Sequence, residues 1–224
     1  MRSKFTLLEL LIVVAIIGIL LSLLLPSLSK SRELTKRAVC LSNLSQFYRG
    51  LVTHSNAYDG ALPAGQPVTI ANDGIFAIKK ASTWHGHGKL YQRDIIEDIY
   101  LTDCPSSTHP KHRTGKTNDA GNYGGFPTDG TLLRTITSSY QYRSTFNAPN
   151  FRAPSFYKDE SGDALMSDHS SGNYSVNYTH KEGHNVSYID GSASWNSDKA
   201  LLYLNISNVQ HTSRENAFWQ KVDR

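Results

Sequence analysis

Between Leu7 and Leu25 the chain reads LLELLIVVAIIGILLSLLL, an apolar run in which Glu9 is the sole charge. Such a run has no polar face. At ~1.5 Å per residue a helix of this length extends roughly 28 Å, the thickness of a bilayer's hydrocarbon core. The pattern therefore predicts a membrane-crossing helix. A secretory signal peptide has a shorter apolar core of ~7–15 residues and then a small-residue cleavage site. Ser22, Pro26 and Ser27 could mimic such a site, so that alternative stays open. A carboxylate near the start of a membrane helix is costly and persists where it finds a partner. That marks Glu9 as a candidate functional residue, against the plainer reading that it rests at headgroup depth. Charge does not orient the span: Arg2 and Lys4 precede it, while Lys30, Arg32, Lys36 and Arg37 follow it.

Past Pro26 the pattern changes. Leu34, Val39, Leu41, Leu44, Tyr48, Leu51 and Val52 include the i, i+3, i+7 spacing of an amphipathic helix, which the Asp59-Gly60 pair would end. Joined to the apolar run, this predicts one helix of roughly 80 Å, its first half in lipid or a filament core and its second half on a globular head. Residues 60–135 are rich in Gly, Pro, Asn, Thr and His, with a short helix expected around Leu90–Ile99 and a long glycine-bearing loop from Ser106 to Gly130. Ser139-Tyr140-Gln141-Tyr142-Arg143 alternates like a strand. Asn185–Ile189 and Ser192–Trp195 flank Asp190-Gly191, a hairpin signal, and Ser213 is placed to cap a last helix through Trp219. The predicted class is α+β: a long N-terminal helix and a small antiparallel sheet.

Composition narrows this further. The 224 residues suit one domain, or one domain with an appendage, and only 39% are hydrophobic, many of them in the N-terminal run. The remainder, with most of the chain's 12 Tyr and 16 Gly, reads as a loop-rich extracytoplasmic head with a modest core. Aromatic residues at 10% speak against disorder. The net charge of +4 is spread along the chain without a dense basic block, so no nucleic-acid partner is expected.

Lys4-Phe5-Thr6-Leu7-Leu8-Glu9, the apolar run and Pro26 together resemble the N-terminal processing and methylation segment of type IV pilins and type II secretion pseudopilins. The resemblance implies cleavage by a prepilin peptidase between Lys4 and Phe5 and N-methylation of Phe5. It divides the chain into a leader (1–4), a transmembrane and assembly helix (5–28) and an extracytoplasmic pilin-like head (29–224). Lys4 departs from the glycine that usually precedes the scissile bond. In a helix bundle, the amino terminus of one subunit could neutralise Glu9 of its neighbour and set the register, while Pro26 would bend or loosen the helix at the bilayer surface.

Further tracts extend the likeness. Val39-Cys40-Leu41-Ser42-Asn43-Leu44, Asp103-Cys104-Pro105-Ser106, the Ser-Tyr-x-Tyr strand, and His180 followed after nine residues by Asp190-Gly191 are similar to a GspG-like pseudopilin group with an H-X9-DG ending. The implied protein is a structural subunit and not an enzyme. It would sit single-pass in the inner membrane, N-terminus in the cytoplasm and head in the periplasm or outside. Its implied partners are the peptidase, other pseudopilin subunits and a secretion assembly platform. The alternative is a membrane-anchored module that binds glycan or protein.

Candidate chemistry is sparse. Cys40 and Cys104 are the two cysteines; in an oxidising compartment they would form a disulfide worth roughly 4–5 kcal/mol in the chain-entropy model, and otherwise remain two thiols. Trp84-His85-Gly86-His87-Gly88 carries a His pair with no evident third ligand, as do His109 and His112. Asp168, His169, His180, His184 and Asp190 gather toward the C-terminus. Resemblance to secretion pseudopilins would allow calcium there, with Asp168, His180 and Asp190 as candidate ligands, although no EF-hand spacing is present. The local reading has His180 bonding across the hairpin and Asp190 shaping its turn. No cofactor is otherwise expected. GxSxG, HExxH, P-loop and GxGxxG patterns are absent.

Overall fold

A computed structural model describes residues 6–64, 77–80, 82–107, 123–124, 135–143, 155–156, 162–168, 180 and 182–197. The Lys4/Phe5 cleavage point, most of the glycine-bearing loop and the helix expected after Ser213 lie outside the described residues. The chain divides into two compact units, Met1–Lys36 and Arg37–Arg224.

The helix α1 spans Leu7–Asn56 and continues through Pro26. Its start is a capping box: the Thr6 backbone N–H and hydroxyl both donate to Glu9 Oε2, at 2.9 and 2.8 Å, and the Glu9 N–H donates back to Thr6 Oγ1 at 3.3 Å. Its end is set where expected. Asp59 and Gly60 take φ of 50° and 74°, and the Gly60 N–H donates to Ser55 O at 3.0 Å.

In the first unit the helix has no buried side. Its large apolar residues between Leu7 and Leu28 are exposed from 47% at Val13 to 83% at Leu7. The most apolar 18-residue window of α1 has a mean hydropathy of 3.0. This helix is long and apolar enough to cross a membrane.

In the second unit α1 buries one face made of Cys40, Asn43, Leu44, Phe47, Gly50, Leu51, His54 and Ser55. Leu44 and Leu51 match the predicted stripe, whereas Leu34 and Val39 are exposed and Leu41, Tyr48 and Val52 are half-buried. The difference has a physical reason. The observed face steps Cys40, Leu44, Phe47, Leu51 and is completed by small or polar side chains that a count of aliphatic residues passes over. Gly50 is one such residue: a Cβ there would stand 2.9 Å from Ile96 Cδ1.

The remaining described elements are β1 (Ala77–Lys80), β2 (Thr83–Trp84), α2 (Gly88–Gln92), a 3-10 helix (Ile99–Thr102), β3 (Tyr123–Gly124), β4 (Thr135–Thr137), β5 (Gln141–Tyr142), β6 (Ala164–Ser167), β7 (His184–Tyr188) and β8 (Ala193–Asn196). They form two small sheets, ordered β2-β1-β4-β3 and β5-β6-β7-β8. Every pairing is antiparallel except β3 with β4. The layout is α+β.

Two elements differ from expectation. The helix predicted over Leu90–Ile99 is instead α2 and a separate 3-10 turn. Asp94, with φ of 53°, leaves the helical conformation after α2, and the Asp98 carboxylate accepts from the Tyr100 N–H at 2.9 Å to cap the turn. The strand predicted over Ser139–Arg143 contracts to β5. There the Tyr140 N–H donates to Ser138 Oγ at 3.0 Å, a local bond, and the Ser139 N–H donates to Thr102 O at 2.9 Å, a bond to the 3-10 helix; both replace ladder pairing.

The main core gathers Leu44, Phe47 and Leu51 of α1 with Leu90, Leu101, Tyr140, Tyr142, Leu165, Met166 and Ile189. Phe47 meets Tyr140 and His87 edge-on, with ring centroids 5.7 and 5.0 Å apart. A smaller cluster joins Ile78, Ile136 and Trp84.

Candidate functional site

Four side chains from four segments meet in the core of the second unit. Cys40 comes from α1, Cys104 follows the 3-10 helix, Asp168 follows β6 and His180 precedes β7. One ligand atom from each lies within 4.8 Å of all the others, and all four residues are buried. The sulfurs of Cys40 and Cys104 approach to 2.7 Å, and both cysteines are free. His180 Nε2 stands 3.3 Å from Asp168 Oδ2 and 3.7 Å from Cys104 Sγ.

A shell of neighbours fixes this group. Asn185 on β7 donates to Asp168 twice, from its backbone N–H to Oδ1 at 2.8 Å and from its amide to Oδ2 at 2.5 Å. The Asp168 N–H returns a bond to Asn185 O at 3.2 Å. Trp195 on β8 meets the His180 ring edge-on at 5.3 Å, and the Arg37 guanidinium lies 3.9 Å over the Trp195 ring while pairing with Glu182 at 2.5 Å. The electrostatics follow from this enclosure. Burial pushes the Cys104 thiol well above the usual thiol range. Burial also disfavours imidazolium at His180, but its hydrogen bonds and its proximity to Asp168 and Cys104 outweigh that and raise its pKa to about 10.

The other sequence candidates separate. Asp190 does not join Asp168 and His180. It is exposed in the β7–β8 turn, where Oδ1 accepts from the Ser192 N–H and hydroxyl at 2.8 and 2.6 Å. Gly191 occupies the same turn with φ of +85°. A Cβ on it would approach Tyr48 Cε1 to 2.6 Å. This is the expected Asp-Gly hairpin, whereas His180 is turned toward Asp168 and Cys104.

His85 is half-buried beside β2, and His87 is buried against Phe47 and Tyr142. Neither belongs to a metal-type grouping among the described residues. Both His87 ring nitrogens lack a hydrogen-bond partner there, and burial lowers its pKa to about 3. His109, His112 and His169 lie outside the described residues, as do Lys4 and Phe5. His184 is buried at the start of β7.

Sequence reasoning missed three contributors. Thr6 was readable, since T-x-x-E before an apolar run is the capping-box pattern. Asn185 and the Arg37–Trp195 stack carried no local signal, because their partners are distant in sequence.

Comparison of the chain with protein-family models, curated proteins and solved structures finds no match.

Proposed function

We propose that this protein is a structural subunit of a pilin-like filament, a pseudopilin of a type II secretion system, rather than an enzyme. The observation that carries the reading is the first stretch of α1, apolar on every side and exposed throughout. Such a surface needs lipid before assembly and neighbouring helices after it. The α+β head, the long helix that enters it and the H-X9-DG hairpin support the same reading. In this proposal the N-terminus faces the cytoplasm and a prepilin peptidase cuts between Lys4 and Phe5. Apolar helices then bury one another laterally, with Glu9 selecting register and the assembly platform adding subunits. Crosslinking tests it. Cysteines introduced at Leu10 and Leu21 of the full chain in its membrane should yield ladders of oligomers. An invariant monomer would replace the filament with a membrane-anchored binding module.

A further inference from the structure

We infer that Cys40, Cys104, Asp168 and His180 form a structural zinc site that ties α1 to the β5–β8 sheet. The argument starts with donor chemistry. Two sulfurs, an imidazole nitrogen and a carboxylate oxygen are a ligand set for zinc, which takes Cys, His and Asp in fourfold tetrahedral sites. Calcium takes oxygen ligands, six to eight of them, and is a poor match to two thiolates.

Geometry agrees on two edges and requires movement on a third. Zinc bonds of about 2.0–2.1 Å to nitrogen and oxygen and about 2.3 Å to sulfur give tetrahedral edges of about 3.3 Å for N–O and about 3.6 Å for N–S. The observed separations are 3.3 Å from His180 Nε2 to Asp168 Oδ2 and 3.7 Å to Cys104 Sγ. The sulfur–sulfur edge would open from the observed 2.7 Å to about 3.8 Å, a change within reach of side-chain rotation. His180 Nε2 faces an oxygen and a sulfur together. That nitrogen has one hydrogen or one lone pair to offer, so a shared centre satisfies this arrangement better than two competing bonds.

The surroundings suit a closed site. Asn185 holds both oxygens of Asp168, and Trp195 covers the imidazole under Arg37. A cleft of about 320 Å³ whose lining includes Asn43, Asp98, Asp103 and Cys104 offers an approach, and its two carboxylates attract cations. On binding, each cysteine exchanges its thiol proton for a bond to zinc, and His180 gives up a proton if it carries one, all passing to solvent. No electron is transferred. With four protein ligands and no open position the site is structural, and the inference stands whether or not the chain builds a filament.

The test uses the full chain extracted in detergent without chelator. Elemental analysis should find about one zinc per chain. Chelation should lower the melting temperature and Zn²⁺ alone should restore it, because a ligand that binds only the folded form stabilises it. Co²⁺ in place of zinc should show thiolate charge-transfer and tetrahedral d–d absorption, lost in Cys40→Ser and Cys104→Ser. Asn185→Ala should weaken zinc binding about 10–100-fold through the displaced carboxylate, while Asp190→Ala leaves metal content unchanged. Should the cysteine variants fail to fold, the wild-type chelation and restoration cycle decides. Two results would overturn the site. One is a chain lighter by the mass of two hydrogens with no alkylatable thiol, which is a disulfide. The other is a reduced, folded chain that takes up no Zn²⁺.

Discussion

Residues 7–36 and 37–56 of α1 share one backbone conformation and differ in which side chains they leave uncovered. The earlier stretch exposes Leu, Ile and Val in every direction, while the later one buries Cys40, Leu44, Phe47 and Leu51 on one side and presents Ser42, Arg49 and Thr53 to solvent. Apolar content alone would rank the first as the better core helix. It buries nothing, because burial requires a second surface of complementary pattern. The later stretch meets strands and α2 and needs only one apolar stripe. The earlier stretch is uniform because its proposed surroundings, lipid or other copies of itself, come from every direction.

The sharpest way to break this comparison is to truncate one large apolar side chain in each stretch to alanine. Phe47 is fully buried and anchors a ring cluster, so Phe47→Ala should lower the head's unfolding free energy by about 3–5 kcal/mol. Leu20 is 56% exposed, and Leu20→Ala should change head stability by less than about 0.5 kcal/mol. Denaturant unfolding of the detergent-solubilised chain, followed by fluorescence, would measure both. Equal losses would mean that the two stretches are not energetically distinct.

The contrast also explains what was legible in the sequence. A run of apolar residues with one charge identifies itself, and so does an Asp-Gly pair between alternating segments: both are local patterns. The head's face of α1 was half legible. Leu44 and Leu51 followed the period, but Asn43, Gly50 and His54 are buried by virtue of partners that the local sequence does not name, such as Tyr140 OH 3.0 Å from Asn43 Nδ2. The cluster of Cys40, Cys104, Asp168 and His180 was legible as residue types and not as a set. Its members are separated by up to 140 positions, and only the sheet β5–β8 and α1 bring them together. Asp190 reads as a companion of Asp168 and His180 because all three lie toward the C-terminus, and the hairpin carries it away to solvent.

A second difference between the stretches is sensitivity to acid. The exposed apolar stretch has no buried base, whereas Phe47 packs on His87, which burial keeps neutral with a pKa of about 3 against the usual 6.5. Because the folded value is the lower one, this contribution to stability is complete above pH 6.5. It declines as pH falls toward about 3, where the unfolded chain binds the extra proton. The slope should approach about 1.4 kcal/mol per pH unit within that window. His87→Phe, an apolar ring of similar size, should flatten the wild-type profile between pH 6 and pH 4 in urea titrations. Parallel profiles for the two proteins would show that another group governs acid unfolding.

A smaller effect is expected where Tyr48 of α1 meets the β7–β8 turn. Tyr48 OH donates to Ile189 O at 3.1 Å, and Gly191 lies close against the hydroxyl end of the ring. Gly191→Val would force a β-branched residue to a φ of +85° and push against Tyr48. The expected loss is about 1–3 kcal/mol, read as a lower melting temperature of the head. Tyr48→Phe should cost about 1 kcal/mol by removing one hydrogen bond. If Gly191→Val is no worse than Tyr48→Phe, the turn is less tightly held against α1 than the contact implies.

The smallest energetic effect and the most discriminating test belong to Glu9. Its carboxylate closes the capping box with Thr6, and the proposed filament also asks it to meet a neighbour's amino terminus. These roles differ in what they need from the side chain. A capping box accepts glutamine as well as glutamate, because the bond to the backbone N–H needs an acceptor and not a charge. Neutralising a neighbour's ammonium needs the charge. Glu9→Gln should therefore keep the helix start and membrane insertion while filament yield falls sharply, as judged by crosslinked ladders. Thr6→Ala should do the reverse, removing about 1 kcal/mol of capping and leaving the charge in place, so ladders persist. Ladders that survive Glu9→Gln but disappear in Thr6→Ala would assign Glu9 to its own helix alone, and the register of any assembly would then have to come from the apolar surface.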